Sequence, residues 1–423
     1  MLFHVKNKTD IRQGLLLFQY ILVHGAFWTG YVGLYSFASI YLGDKGYDSG
    51  KIGLILAAAS LCGIFFQPMI TGLADKYECL TPQHLVAGAY FLSAMAALAL
   101  YKMPSDWAIF PLVFILGMVT GAAATPLLNA INIYYVNAGI PLNYGIARGS
   151  GSLIYAITTT VMGNLIAARG VDIACLCTAG CFLLGILAAG ALPLLSTRKE
   201  ASEGKQSLEK ADTSEEKQSL EKASASSEKQ EGKTSSQSGT IAFLLHYKKL
   251  TLCLVGIILV YFFYSAFFSF MIYHARNVGG DTTTVGYVQS IGAIVELPAM
   301  FGFSYLVKRF SCRKLLKFSV VFFVIKALLL LLATSPAWLY GAHLLQCLSY
   351  AIFLPATVYY ANEQVEEQDQ FKAQAIMTAA TTMSAMLASL VGGLMIENLG
   401  LGALNLFGFV LALIGAVLVF VFA

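Results

Sequence analysis

Gly402-Ala-Leu-Asn-Leu-Phe-Gly-Phe-Val-Leu-Ala-Leu-Ile-Gly-Ala-Val-Leu-Val-Phe-Val-Phe-Ala423 runs for 22 residues without a charged side chain. A helix of about 20 such residues crosses the roughly 30 Å hydrocarbon core of a bilayer. Read backwards from it, the chain repeats the pattern near 371–396, 337–360, 315–334, 285–306 and 250–272. After a polar gap the runs resume near 173–195, 145–167, 107–134, 84–101, 51–70 and 14–42. Lipid offers the backbone no hydrogen-bond partner, so runs of this length must be helices, and they are too long and too evenly apolar for barrel strands. The expected fold is all-α and integral to the membrane, with twelve transmembrane helices in two six-helix bundles.

Composition agrees. Apolar residues make up 57% of the 423 and charged ones 12%, against about 25% charged in a soluble domain. Mean hydropathy is +0.70. A formal charge of +4 points to no nucleic-acid partner. The eight cysteines form no CxxC pair and no Cys/His cluster with metal spacing, so they read as small apolar helix residues, with no metal or cofactor expected. The first run is too long for a cleavable signal and reads as a retained membrane helix.

The gap from Thr197 to about Ser238 is rich in Glu, Lys, Ser and Gln and repeats Lys-Gln-Ser-Leu-Glu-Lys-Ala at 205–211 and 217–223. Such a composition cannot bury enough apolar surface to fold, which predicts a disordered cytoplasmic linker. The expected organisation is an N-terminal bundle over 1–196, a linker over 197–240 and a C-terminal bundle over 241–423. With the N-terminus inside, the inner segments and linker flanks hold fourteen Lys and Arg and the outer segments five. The positive-inside rule then puts both termini in the cytoplasm of a cell membrane.

Gly53-Leu-Ile-Leu-Ala-Ala-Ala-Ser-Leu-Cys-Gly-Ile-Phe-Phe-Gln67-Pro68, running on to Thr71-Gly72-Leu73-Ala74-Asp75-Lys76, resembles the second helix and following loop of the lactose permease branch of the major facilitator superfamily. Asn143-Tyr144-Gly145-Ile-Ala-Arg148-Gly-Ser-Gly151-Ser152 looks like the Tyr-Gly-x-x-Arg-x-x-Gly-Ser motif of the phenylpropionate permease group. Ala373-Gln374-Ala375 followed by Gly392-Gly393-Leu394 resembles helix eleven of that group. The resemblance implies bundles of inverted repeats around a central cavity, and a gate at Gly72, Asp75 and Lys76. Here the pattern departs from the family: Thr71 replaces the first glycine, and no basic pair follows Tyr77.

Charges deep in a membrane helix are costly, so they are functional candidates by default. Three stand out: Arg148, Glu296 and Lys326. The resemblance implies substrate roles for Arg148 and for the helix-nine position that Lys326 occupies. Glu296 either pairs with Lys326 and titrates during transport, or forms a fixed ion pair that only joins two helices. The helix-ten positions that serve proton coupling in lactose permease hold Gln346 and Ser349 here, with His343 one turn earlier.

His24, Phe27, Tyr31 and Tyr35 share one face of the first helix and form a candidate cavity stripe. The alternative for them is ordinary packing. Asn129 lies close to an acidic ligand position of the lactose permease branch, with Asn132 three residues on. Tyr155 matches the aromatic sugar platform of that branch. Tyr261, Tyr264, Phe267 and Phe268 make the seventh helix aromatic, and Gln289 on the eighth is placed to face the same cavity.

No phosphate loop, HExxH or credible catalytic triad occurs, so ATP does not drive the protein directly and no enzyme is expected. The reading is a secondary active transporter working by alternating access. It takes a small polar organic solute, a sugar or glycoside with protons as coupling ion, and works as a monomer. A nucleoside or aromatic-acid transporter, an uncoupled facilitator and a non-transporting receptor stay open.

Overall fold

A computed structural model describes residues 5–6, 13–76, 80–140, 142, 144–195 and 240–423, with the side chains of 5, 6, 74–76, 144, 145, 148, 240 and 241 left out. The expected linker therefore lies almost wholly outside the described residues.

The first bundle holds α1 (Gln13–Tyr31), a π-turn (Val32–Ser36), α2 (Ala38–Asp44), α3 (Ser49–Lys76), α4 (Pro82–Lys102), α5 (Phe110–Asn137), α6 (Tyr144–Arg169) and α7 (Asp172–Ala191). The second holds α8 (Thr240–His246), α9 (Lys248–Ser269), α10 (Met271–Asn277), α11 (Thr282–Arg309), α12 (Cys312–Leu331), α13 (Pro336–Leu344), α14 (Tyr350–Glu363), α15 (Gln370–Leu399) and α16 (Leu401–Phe422). Among the described residues, eleven spans are long and apolar enough to cross a membrane, with α13 and α14 joined into one. The helix left over, α12, has 20 residues but carries Arg313, Lys314, Lys317 and Lys326. As a further 20-residue helix it is consistent with the twelve expected.

One face carries a short parallel ladder that pairs β1 (Val5–Lys6) with β2 (Leu194–Leu195), Val5 opposite Leu194. Tyr135 fastens it by donating to Pro193 O at 2.7 Å, and Leu195 N donates to the Tyr134 hydroxyl at 3.0 Å. Tyr247 of the second bundle donates to Asp369 at 2.8 Å, just before α15, which also starts at this ladder face. The opposite side is here called the far face.

The bundles converge at the far face and part towards the ladder face. Along α3, eight of the eleven residues from Ser49 to Ala59 are buried, but from Leu61 to Leu73 only Ile70 is. Along α11 the buried residues likewise gather at the start, from Thr284 to Gly292, with only Ala299 and Phe303 beyond. Two crossings bring the backbones together there. A Cβ on Gly393 of α15 would lie 2.3 Å from Ser49 O and 2.9 Å from the Gly53 Cα of α3. A Cβ on Gly286 of α11 would lie 2.5 Å from Thr159 O and 3.3 Å from the Gly163 Cα of α6. Lipid tails are as apolar as leucine, so close packing of small residues holds such helices together.

The entry to α11 is capped by Asp281, whose carboxylate accepts from the Thr283 hydroxyl and from the N–H of Thr283 and Thr284, at 2.5, 2.9 and 3.1 Å. The Thr283 hydroxyl first, then the N–H groups, hold this carboxyl below the usual carboxylate range. A depressed carboxyl stabilises the fold above its unfolded pKa, and that contribution fades as pH falls through its folded one. Asp281→Ala should therefore cost about 1 kcal/mol at neutral pH. The gap between the thermal midpoints of the two proteins should narrow in acid.

Candidate functional site

Between the bundles lies a cavity of about 380 Å³. Its first-bundle wall is built by α1, the π-turn, α3, α5 and α6. Tyr31 and Tyr35 stack with centroids 4.1 Å apart, and Tyr35 is fixed by donating to Met118 O at 2.6 Å. Trp28 meets Tyr155 edge to face at 5.7 Å. Across the cavity, Tyr264 of α9 stacks on Tyr350 of α14 at 4.6 Å, with Tyr261 tilted against it at 5.5 Å. Such rings offer flat apolar faces with a polar tip.

The second-bundle wall also carries the charges. Between α13 and α14 the span is broken by a 3₁₀ turn, Leu345–Cys347, which presents Gln346. The carbonyl oxygen of Gln346 accepts from the Lys326 ammonium. Its amide N–H groups donate to Glu296 Oε1 at 2.9 Å and to the Tyr264 hydroxyl at 3.2 Å. Lys326 is fully buried and lies over the Tyr264 ring at 5.6 Å. Gln346 is hydrogen-bonded to both Lys326 and Glu296, and its amide is thereby occupied by the protein's own groups. Glu296 lines the cavity and Lys326 sits behind it. His343 also lines it, with Nδ1 3.0 Å from Leu339 O and its ring 5.2 Å from Phe267.

Three residues join the two bundles on the far-face side of the cavity. Tyr155 donates to Gln289 Oε1 at 2.9 Å, Gln289 Nε2 donates to the Ser36 carbonyl at 3.0 Å, and the Ser36 hydroxyl lies 2.9 Å from that of Tyr155. Thr282 adds a bond to Gly163 O at 3.2 Å.

Of the other expected site residues, the structure gathers some and disperses others. Tyr31, Tyr35, Tyr155, Tyr264, Gln289, Glu296 and Gln346 line the cavity. His24 is buried within the first bundle, edge to face with Tyr20 at 4.7 Å, and is not part of the lining. Phe27 is buried likewise, and Trp28 takes the place expected of it. Asn129 is exposed on α5 and away from the lining, while Asn132 Oδ1 is buried without a partner. Gly72 is exposed, and among the described residues a Cβ there would meet nothing within 4 Å. The side chains of Asp75, Lys76 and Arg148 lie outside the described ones.

Sequence reading missed Trp28, Tyr350 and Ser36. Each is a ring or hydroxyl in an apolar run, and hydropathy gives no sign of which neighbour it meets.

A model of the MFS_1 like family matches residues 19–407. The chain is 25% identical over 393 residues to a maltose permease of Geobacillus stearothermophilus, covering 92% of this chain and 90% of that protein. A variant of the nucleoside transporter NupG superposes with a TM-score of 0.74 at 15% identity, over 97% of this chain and 99% of that one. A variant of the peptide transporter POT does so with 0.68 at 10% identity, over 100% and 96%. At these identities the solved structures show the shared fold alone.

Proposed function

Because the chain belongs to the MFS_1 like family of the major facilitator superfamily, and so is a secondary transporter of small solutes, we propose that its solute is a neutral sugar of disaccharide size, taken up across the cell membrane. The wall of the cavity carries this reading. Opposed tyrosine faces can stack on sugar rings, and the amide and hydroxyls of Gln289 and Tyr155 can pair with sugar hydroxyls. Glu296 is balanced by Lys326 through Gln346, which favours an uncharged solute over an anionic aromatic acid. The relative that transports maltose by name supports the same class.

The ladder face is the cytoplasmic one, because fourteen Lys and Arg fall on that side against five. The cavity therefore faces inward in this conformation. The charged segment over 197–240 links the bundles on that side, and one chain suffices for the whole cavity, so the protein works as a monomer. Proton coupling runs through Glu296. The chemistry is movement alone, without catalysis.

The test is counterflow of labelled maltose in proteoliposomes, with uridine and phenylpropionate alongside. We expect a maltose overshoot that falls about two- to tenfold in Tyr264→Ala, since stacking on an aromatic face contributes about 0.5–1.5 kcal/mol per ring and the truncation also leaves one Gln346 N–H without its acceptor. An overshoot with uridine alone would make the solute a nucleoside.

A further inference from the structure

The bonds among Ser36, Tyr155 and Gln289 connect parts of the protein that must separate for the far face to open. Ser36 and Tyr155 belong to the first bundle and Gln289 to the second. Ser36 ends the π-turn of the first span, a local irregularity often found at functional positions. Tyr155 has a single hydroxyl hydrogen. It goes to Gln289, so the Ser36 hydroxyl must donate to Tyr155. Every member is thus both held and holding. Gln289 and Tyr155 also line the cavity, so the groups that fasten the bundles are groups a bound solute can reach. The Gln289 amide has a second N–H and a second lone pair beyond these bonds.

We propose that Gln289 and Tyr155 form a solute-sensing latch: hydroxyls of the bound solute take over the bonds that now run between the bundles, and so release the far face. This rests on the transport reading above and adds to it how binding is tied to gating. In the empty protein, parting the bundles takes the Ser36 carbonyl from Gln289 and leaves buried polar groups in need of partners, which is costly. A solute with neighbouring hydroxyls supplies an acceptor for the amide N–H and a donor for its carbonyl. It therefore binds the open arrangement better than the closed one, which is the condition for any ligand to shift a conformational equilibrium. An apolar solute of the same shape would stack on the tyrosines without opening the latch. Tyr155 and Gln289 are thus positioning residues for the gate as well as contacts for the solute.

The test reads the distance across the far face by paired spin labels at Arg169→Cys of α6 and Asn398→Cys of α15, two exposed positions. The chain carries them with its eight native cysteines replaced by alanine. Without solute, Tyr155→Phe and Gln289→Leu should each raise the far-face-open fraction, roughly three- to tenfold for bonds of the strength measured between membrane helices. Saturating maltose should open the parent chain and add little in either variant. Distances in both solute-free variants that coincide with the parent's would overturn the latch. So would a maltose response in Gln289→Leu as large as the parent's. Tyr155→Phe removes one oxygen only and keeps the test usable should Gln289→Leu not fold. If maltose fails to bind the parent chain, the sugar reading fails, and the solute-free comparison still decides on the latch.

Discussion

Lys326→Met lowers the stability of the protein by about 1–3 kcal/mol, the cost of leaving a buried polar group without its partner, and adding Glu296→Gln restores part of it. Lys326 is 1% exposed and its ammonium reaches Gln346. Removing it leaves the Gln346 carbonyl without its donor and the Glu296 carboxylate without the positive charge that acts on it. Methionine matches the length of the stem, so the loss is electrostatic and not a cavity. Glutamine at 296 still accepts from the Gln346 amide but carries no charge, so the double variant holds a neutral, hydrogen-bonded cluster. Thermal midpoints of the four proteins give the interaction as a double-mutant cycle.

Transport separates the two roles open to the pair. Glu296→Gln alone should keep maltose exchange but lose accumulation driven by an imposed proton gradient by tenfold or more. If accumulation and its pH dependence survive, the pair is structural and coupling lies elsewhere.

The spans were legible in the sequence because lipid leaves the backbone no choice. The run expected near 84–101 is α4, Pro82–Lys102, and the run near 371–396 is α15, Gln370–Leu399. Breaks within spans were not. The tenth span is interrupted at Leu345–Cys347, in Leu-Leu-Gln-Cys-Leu-Ser, without glycine or proline. What accompanies the break is the placing of Gln346 between Lys326, Glu296 and Tyr264, groups 20, 50 and 82 residues away.

The candidate site divides the same way. Glu296 and Lys326 stood out because a charge in an apolar run needs a reason, but the residue that joins them is an uncharged amide. Of the stripe of His24, Phe27, Tyr31 and Tyr35, the two tyrosines line the cavity and the other two do not. Helical spacing says which side chains share a face, but lipid, a neighbouring helix and a cavity all accept an aromatic ring. The π-turn at Val32–Ser36 also shifts the register that a straight helix would keep. The bond from Gln289 to Ser36 joins residues 253 apart, and no local pattern encodes it.

Leucine at Gly286, or at Gly393, should stop the far face from closing and reduce net maltose transport by at least tenfold, while solute binding persists. At Gly286 the first added carbon would stand 2.5 Å from Thr159 O and 3.3 Å from the Gly163 Cα. At Gly393 it would stand 2.3 Å from Ser49 O and 2.9 Å from the Gly53 Cα. These neighbours are backbone atoms of helices and cannot rotate aside, so relief comes only from moving one bundle away from the other. Overpacking of a tight contact costs about 1–3 kcal/mol, and a bias of that size shifts the balance between closed and open far face about five- to 150-fold. Gly88→Leu is the control, because a Cβ there meets nothing within 4 Å. The labels at 169 and 398 should report the open distance in both crossing variants without solute, and the closed distance in the control. Wild-type transport by Gly286→Leu would mean that the α6–α11 crossing is not part of the cycle. The two crossings also separate gate from latch: in Gly286→Leu the bundles part with Tyr155 and Gln289 intact, so maltose should bind more tightly than in the parent chain, because the work of opening has already been done.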